Sequence, residues 1–214
     1  MRRFAKREDL AKALAEAVSR ALADVIAEKG KATLAVSGGT TPQRFFECLS
    51  EESVEWPKVT VTLVDERQVD ETSPRSNAQL VKSCLLQNKA VAARFVPLHQ
   101  NAAAASHLDL DVVILGMGND GHTASFFPGG DRLAAALDVS NEDGIVTMTA
   151  PGAGEPRLTF TLAKLLGATS LFLHLEGQQK RDVLDKATSG TDMMDMPIRA
   201  VLHSRHPLQI YWCP

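Results

Sequence analysis

Cysteine is scarce in this chain of 214 residues, and the few present form no pattern. Cys48, Cys84 and Cys213 are odd in number and widely spaced, which excludes a disulfide framework and offers no paired ligands for a zinc site. Cys48 and Cys84 fall in helical patterns beside Leu49 and Leu85 and read as packing residues, while Cys213, one residue from the end, reads as incidental. Long apolar runs are also missing. None approaches the roughly 18 to 20 residues of a membrane span. Met1-Arg2-Arg3 leads into a polar helix rather than an apolar signal segment, so the expectation is a soluble, cytoplasmic protein without a membrane partner. Blocks of like charge are absent too: 23 basic and 26 acidic residues are interspersed and leave a net charge of −3. That argues against a nucleic-acid partner and leaves local cations free to hold a small anion.

What is present is an alternation of elements. Leu10, Leu14, Val18, Ala21, Leu22, Val25 and Ile26 form a helical stripe ended by Gly30. Ala32 to Val36 then reads as a strand, Pro42 to Leu49 as a helix and Val59 to Val64 as a strand. Ser76 can cap a helix through about Gln87, and Arg94 to Leu98 reads as a short strand. Asp111 to Leu115 is a nearly continuous apolar run, as in a strand covered on both faces. Further on, Ile145 to Thr149 and Leu171 to Leu175 are strand-like, and Thr161 to Leu166 and Gln178 to Ala187 helical. Ile198 to Leu202 and Leu208 to Trp212 read as closing strands. The pattern implies a single α/β domain over residues 1–214, with a mostly parallel sheet flanked by helices.

The segment from Leu108 to Gly129 carries the strongest chemical signal, because it delivers His122 to the open end of a buried strand. Ligands of open α/β sheets sit outside such strand ends. Asp120 is close enough to orient the imidazole, and Thr123 and Ser125 stand nearby as hydroxyl donors. A lone loop histidine is often merely solvated, but these neighbours favour proton chemistry. The turn also matches a dinucleotide fingerprint through Gly116, Gly118 and Gly121. That reading is rejected, since Pro128, Gly129 and Gly130 leave no room for the long helix a fingerprint opens.

Two other strand ends add to it. Ser37-Gly38-Gly39-Thr40-Thr41-Pro42 combines glycines that let backbone N–H groups face inward, small hydroxyls and a proline suited to a helix start. Such a loop suits a phosphate or carboxylate, although it would also serve as a plain tight turn. It lacks the Gly-Lys-Ser/Thr ending of a nucleotide P-loop. Asp65-Glu66-Arg67 follows an apolar strand, where charges are usually just solvated. Neighbouring parallel strands would nonetheless bring it beside the glycine loop and the His122 turn.

Taken in order, Ser37-Gly38-Gly39-Thr40-Thr41-Pro42, Asp65-Glu66-Arg67 with Ser76-Asn77, Gly116 to Ser125 with Phe127-Pro128-Gly129, and Arg157-Leu158-Thr159 resemble the motifs of the 6-phosphogluconolactonases. The resemblance runs from about Arg7 to Tyr211. It implies a modified Rossmann-like fold shared with glucosamine-6-phosphate deaminases, and hydrolysis of 6-phosphoglucono-δ-lactone in the oxidative pentose phosphate pathway without metal or nucleotide cofactor. It further implies a phosphate held by Gly38, Gly39, Thr40, Arg67 and Lys180, and His122 as general base with Asp120 orienting it. Ser37, Asp65 and Asn77 join the substrate-binding set, as does Arg157, for which a structural salt bridge is an equal alternative. A cation at a helix start, as at Lys180, opposes the macrodipole, and binding would explain its placement. The only partner implied is the small sugar-phosphate lactone, with the protein a monomer or weak homodimer. One departure stands out: family members usually have a helix of some twenty residues before the His122 strand, but here only Gln100 to Asp109 fills that gap.

Other classes fit less well. A deaminase-isomerase of this fold would place an acidic residue shortly after the histidine, where Phe126 and Phe127 stand. A sugar-phosphate sensor would not need His122 and would normally be fused to a DNA-binding segment, for which the first helix is too short.

Overall fold

The computed structural model describes residues 1–214, the side chain of Gln100 excepted. Its centre is a seven-stranded parallel sheet made of β1 (Arg2–Arg3), β2 (Ala32–Val36), β3 (Val59–Leu63), β5 (Arg94–Phe95), β6 (Val112–Leu115), β9 (Ser170–Glu176) and β10 (Leu208–Cys213), in the order β1-β10-β9-β6-β2-β3-β5. A separate antiparallel sheet joins β4 (Asp65–Arg67), β8 (Arg157–Phe160) and β7 (Ile145–Met148) in that order. The central strands are apolar on both faces because helices cover the sheet, so β6 is buried at every residue.

Helix α1 (Arg7–Lys29) buries the expected stripe from Leu10 to Ile26, Ala21 only in part, and packs on α2 (Gln43–Ser50) and on β2 and β10. It ends at Gly30, whose φ of 76° is cheap only for glycine and whose N–H reaches the Ile26 carbonyl at 2.8 Å. At the start of β6, the Asp111 carboxylate accepts from the Thr33 N–H at 2.8 Å and from Lys29 Nζ at 2.7 Å. This ties β6 to β2 and fixes which strand ends lie side by side. Val36 is level with Ile114 on one side and Leu63 on the other, and Leu115 is level with Leu173. No helix among the described residues is long and apolar enough to cross a membrane.

The structure corrects several expectations. Ile198–Leu202 is a helix, α8, not a strand. Its first four residues are all buried, Arg199 included, and so short a run has no period to separate helix from strand, whereas Pro197 just ahead is a helix start signal. Asp65-Glu66-Arg67 is itself a strand, and Asp65 and Glu66 are 6% and 1% exposed rather than solvated. Arg157–Phe160, unassigned from the sequence, is its partner strand. Ser76 caps as expected, its Oγ accepting from the Gln79 N–H, but α3 (Asn77–Leu80) widens at once into a π-helical turn, Val81–Leu85. The short segment before β6 keeps a helix, α4 (Leu98–Ser106), broken at Asn101, so Leu98 opens a helix instead of closing a strand. Cys213 is fully buried at the end of β10 and belongs to the core. The remaining helices are α5 (Leu133–Leu137), α6 (Leu162–Leu166) and α7 (Gln178–Ser189).

Glu66 explains how a charged strand can be buried. Its carboxylate accepts from the N–H groups of Arg67, Asn77 and Ala78 at 2.7 to 2.8 Å and from Ser76 Oγ at 3.1 Å. It thereby satisfies the open N-terminus of α3 and complements its dipole. Glu66→Ala leaves these buried donors without an acceptor, and each such loss costs about 1 to 3 kcal/mol. We predict a fall in unfolding free energy of roughly 2 to 5 kcal/mol, read as a lower urea midpoint at unchanged slope. A shift below about 0.5 kcal/mol, the range of ordinary surface substitutions, would remove Glu66 from the fold's supports.

Candidate active site

A cavity of about 310 Å³ opens at the carboxyl ends of β2, β3, β6 and β9. Of the residues expected to be catalytic or substrate-binding, all but Asp120 line it: Ser37, Gly38, Gly39, Thr40, Asp65, Arg67, Asn77, His122, Arg157 and Lys180. Asp120 stands behind His122.

The turn after β6 builds this pair. His122 Nδ1 lies 2.6 Å from Asp120 Oδ1, which also accepts from the His122 backbone N–H at 3.1 Å. With Nδ1–H donating to the carboxylate, the neutral ring carries its lone pair on Nε2. Burial alone would raise the Asp120 carboxyl, but the side chain, charge and N–H of His122 outweigh it and hold it down at about 2. Asp120 is therefore a carboxylate at neutral pH. The imidazole rests against Phe127, with ring centroids 4.3 Å apart, and Arg157 places its guanidinium 5.4 Å from the same ring. Thr123 and Ser125, expected nearby as hydroxyl donors, donate within the structure: Thr123 Oγ1 to the Gly116 carbonyl and Ser125 Oγ to Asp65 Oδ2, at 2.7 and 2.6 Å.

In the glycine loop, the Ser37 hydroxyl bridges β2 and β6, donating to the Ile114 carbonyl and accepting from the Gly116 N–H, both at 3.0 Å. Gly38 cannot carry a side chain, because a Cβ there would collide with the Asn77 amide. Asn77 is fixed in turn by donating to the Asp65 carbonyl at 2.9 Å. No helix opens at Gly121; the next one begins at Leu133, so the turn lacks the helix N-terminus on which a dinucleotide pyrophosphate would sit.

Three cations face the cavity. Arg67 and Arg157 are directly opposite each other across β4 and β8. Burial lowers the pKa of Arg157; Asp65, 3.9 Å away, opposes this and Arg67 adds to it. Nε of both arginines is buried without a partner among the described residues. Lys180, in the first turn of α7, is also pushed down by burial, with Asp120 opposing. His174 and Glu176 of β9 line the cavity as well, His174 Nε2 lying 3.1 Å from Glu176 Oε1. Sequence reasoning missed this second imidazole–carboxylate pair because it is embedded in a leucine-rich strand. Among the described residues, no cluster of three or more His, Cys, Asp or Glu could hold a metal ion.

The family model described as glucosamine-6-phosphate isomerases/6-phosphogluconolactonase matches residues 5–212. The chain belongs to this family. It is 53% identical to the 6-phosphogluconolactonase of Rhizobium meliloti strain 1021, over 96% of this chain and 94% of that protein. With the 6-phosphogluconolactonase of Pseudomonas putida it shares 42% identity over 99% and 91%. The crystal structure of a 6-phosphogluconolactonase from Shewanella baltica OS155 superposes with a TM-score of 0.95 at 36% identity, covering 100% of this chain and 97% of that one. In this isomerase/lactonase-family chain, the tightest steric limit on the His122 pair is Gly118. A Cβ there would run into both the His122 ring and the Asp120 carboxylate. Gly118→Ala is predicted to displace the imidazole and lower turnover by at least about tenfold, since misplacement by ~1 Å can cost two orders of magnitude. Circular dichroism should remain that of the parent. Parental turnover in this variant would mean that the Asp120–His122 geometry is not what the chemistry uses.

Proposed function

We propose that the cavity hydrolyses 6-phospho-D-glucono-1,5-lactone to 6-phospho-D-gluconate, the lactonase reaction rather than the isomerase reaction of the family. The observation that carries this is a carboxylate-oriented imidazole facing a cavity whose other walls supply an amide-rich loop and opposed arginines. The names of the relatives support it, and so does Phe127, which fills the stretch after His122 where a deaminase-isomerase would need an acid.

The substrate phosphate is held by the N–H groups of Gly38 and Gly39, the Thr40 hydroxyl, Arg67 and Lys180, with Arg157 beside them. Two arginines opposed across paired strands repel each other, and a dianion between them relieves that repulsion while accepting charge-assisted hydrogen bonds. Asp65 and Asn77 hold the surrounding polar groups in place. At the other end, His122 Nε2 takes a proton from water as its oxygen attacks the lactone carbonyl carbon. Asp120 keeps the ring in the required tautomer and stabilises the imidazolium that forms. Collapse of the tetrahedral intermediate breaks the bond from the carbonyl carbon to the ring oxygen, and the imidazolium returns its proton to that leaving oxygen. No step uses a metal or nucleotide. The setting we infer is cytoplasmic, with a small-molecule substrate as the only required partner.

The test is an assay with freshly generated 6-phosphogluconolactone, corrected for spontaneous hydrolysis. The parent protein is expected to accelerate lactone loss, and His122→Asn to lose roughly 10² to 10⁴ in turnover, the scale of a positioned general base, while remaining folded. No acceleration by the parent protein would end the lactonase reading. Near-parental turnover in a folded His122→Asn variant would remove the histidine from the mechanism.

A further inference from the structure

The proposed phosphate end of the site poses an electrostatic problem that its own residues solve only in part. Arg67 and Arg157 face each other in register, and like charges so placed push apart. The nearest carboxylate, Asp65, is 3.9 Å from Arg157 and already accepts from Ser125. Arg157 is held locally, its Nη2 donating to the Ala153 carbonyl at 2.6 Å and its guanidinium lying over Phe127, but these contacts do not restrain Arg67 or the two strands against each other.

The loops that flank the two strands supply such a restraint. After β4 the chain returns so that Nη1 of Arg67 donates to the backbone carbonyl of Arg75. The side chain of Arg75 then crosses to the loop before β8 and grips Glu155 with both ends of its fork, Nη1 to Oε1 at 2.6 Å and Nη2 to Oε2 at 2.8 Å. Glu155 lies two residues before Arg157, and its side chain is only 18% exposed. The loop bends beneath the guanidinium at Gly154, whose φ is +76° and where a Cβ would come within 3.2 Å of Arg75 Nη2. A backbone bond from the Gln68 N–H to the Pro156 carbonyl, 2.8 Å, closes the same gap from below. The result is a strap from Arg67 through Arg75 and Glu155 to the segment that delivers Arg157. Neither Arg75 nor Glu155 lines the cavity.

We propose that the Arg75–Glu155 pair is a positioning device for anion binding: it fixes the loop whose carbonyl orients Arg67 and holds the Arg67-bearing and Arg157-bearing strands together against their repulsion. Its substrate-level consequences rest on the lactonase reading, whereas its effect on a bare anion does not.

The experiment compares the parent protein with Arg75→Ala, Glu155→Gln and the double variant. Three quantities are read: kcat and KM on 6-phosphogluconolactone, the rate on unphosphorylated glucono-δ-lactone, and the Kd of inorganic phosphate by calorimetry. Each single variant is expected to raise KM for the phosphorylated lactone and Kd for phosphate by roughly two- to fivefold, the scale of a partly exposed ion pair, with kcat unchanged. The unphosphorylated lactone should be unaffected. The double variant should be no worse than the more affected single one, since both remove the same contact. Unchanged KM and Kd in the single variants, equal losses on the two lactones, or additive losses in the double variant would each overturn the proposal. Glu155→Gln keeps the shape of the side chain and guards against misfolding as the cause. If the parent protein has no lactonase activity, the lactonase reading fails by itself and the phosphate Kd still decides whether the strap positions an anion site.

Discussion

The site depends on the point where the chain leaves the parallel sheet at Val64 and enters the small antiparallel one. There, Asp65 and Glu66 are buried side by side in sequence and face different partners. The Asp65 carboxylate holds Ser125 of the His122 turn, and its carbonyl holds the Asn77 amide, which fills the space beside Gly38. Glu66 closes the N-terminus of α3 and so fixes Asn77 from its backbone side. Two buried carboxylates thus connect the glycine loop, the histidine turn, α3 and the strand bearing Arg67. Burial of charge is tolerable only with this degree of hydrogen bonding, and removal of one partner is correspondingly costly.

The same junction sets the layout of the cavity. Because β2 lies between β6 and β3, the amide-rich loop sits between the His122 turn and the arginine-bearing strand. On the proposed lactonase reading, the substrate places its charged end among these cations while its reacting centre meets the imidazole. Preorganised charges of this kind need no rearrangement when the substrate arrives, which is what makes them more useful than solvent. Asp120 remains anionic because His122 stabilises its charged form, and that anion keeps the imidazole in the tautomer that presents Nε2.

Much of this was legible in the sequence. The apolar runs ending at Val36, Val64 and Leu115, each followed within two residues by glycine or a charge, identified three adjacent strand ends, and their parallel pairing is what the structure contains. Asp120 and His122 were readable as a pair because they stand two residues apart in one tight turn, and the structure joins them at 2.6 Å. Long-range contacts were not readable. Nothing local shows that Glu66 would be buried, since its acceptor role depends on α3 eleven residues on. Ile198–Leu202 reads as a strand because a five-residue helix buried over its first four positions is too short to show a helical period. The Arg75–Glu155 contact spans eighty residues and joins two loops of ordinary polar composition.

The most direct test of the account is a crystal structure with 6-phospho-D-gluconate bound. The phosphate should lie within hydrogen-bond reach, roughly 2.7 to 3.2 Å, of the Gly38–Thr40 segment and the Arg67 guanidinium. The C1 carboxylate should lie near His122 Nε2, about 3 to 3.5 Å away as a former reacting centre must. A product bound the other way round, with its phosphate against His122 and its carboxylate in the glycine loop, would contradict the assignment of both ends of the site.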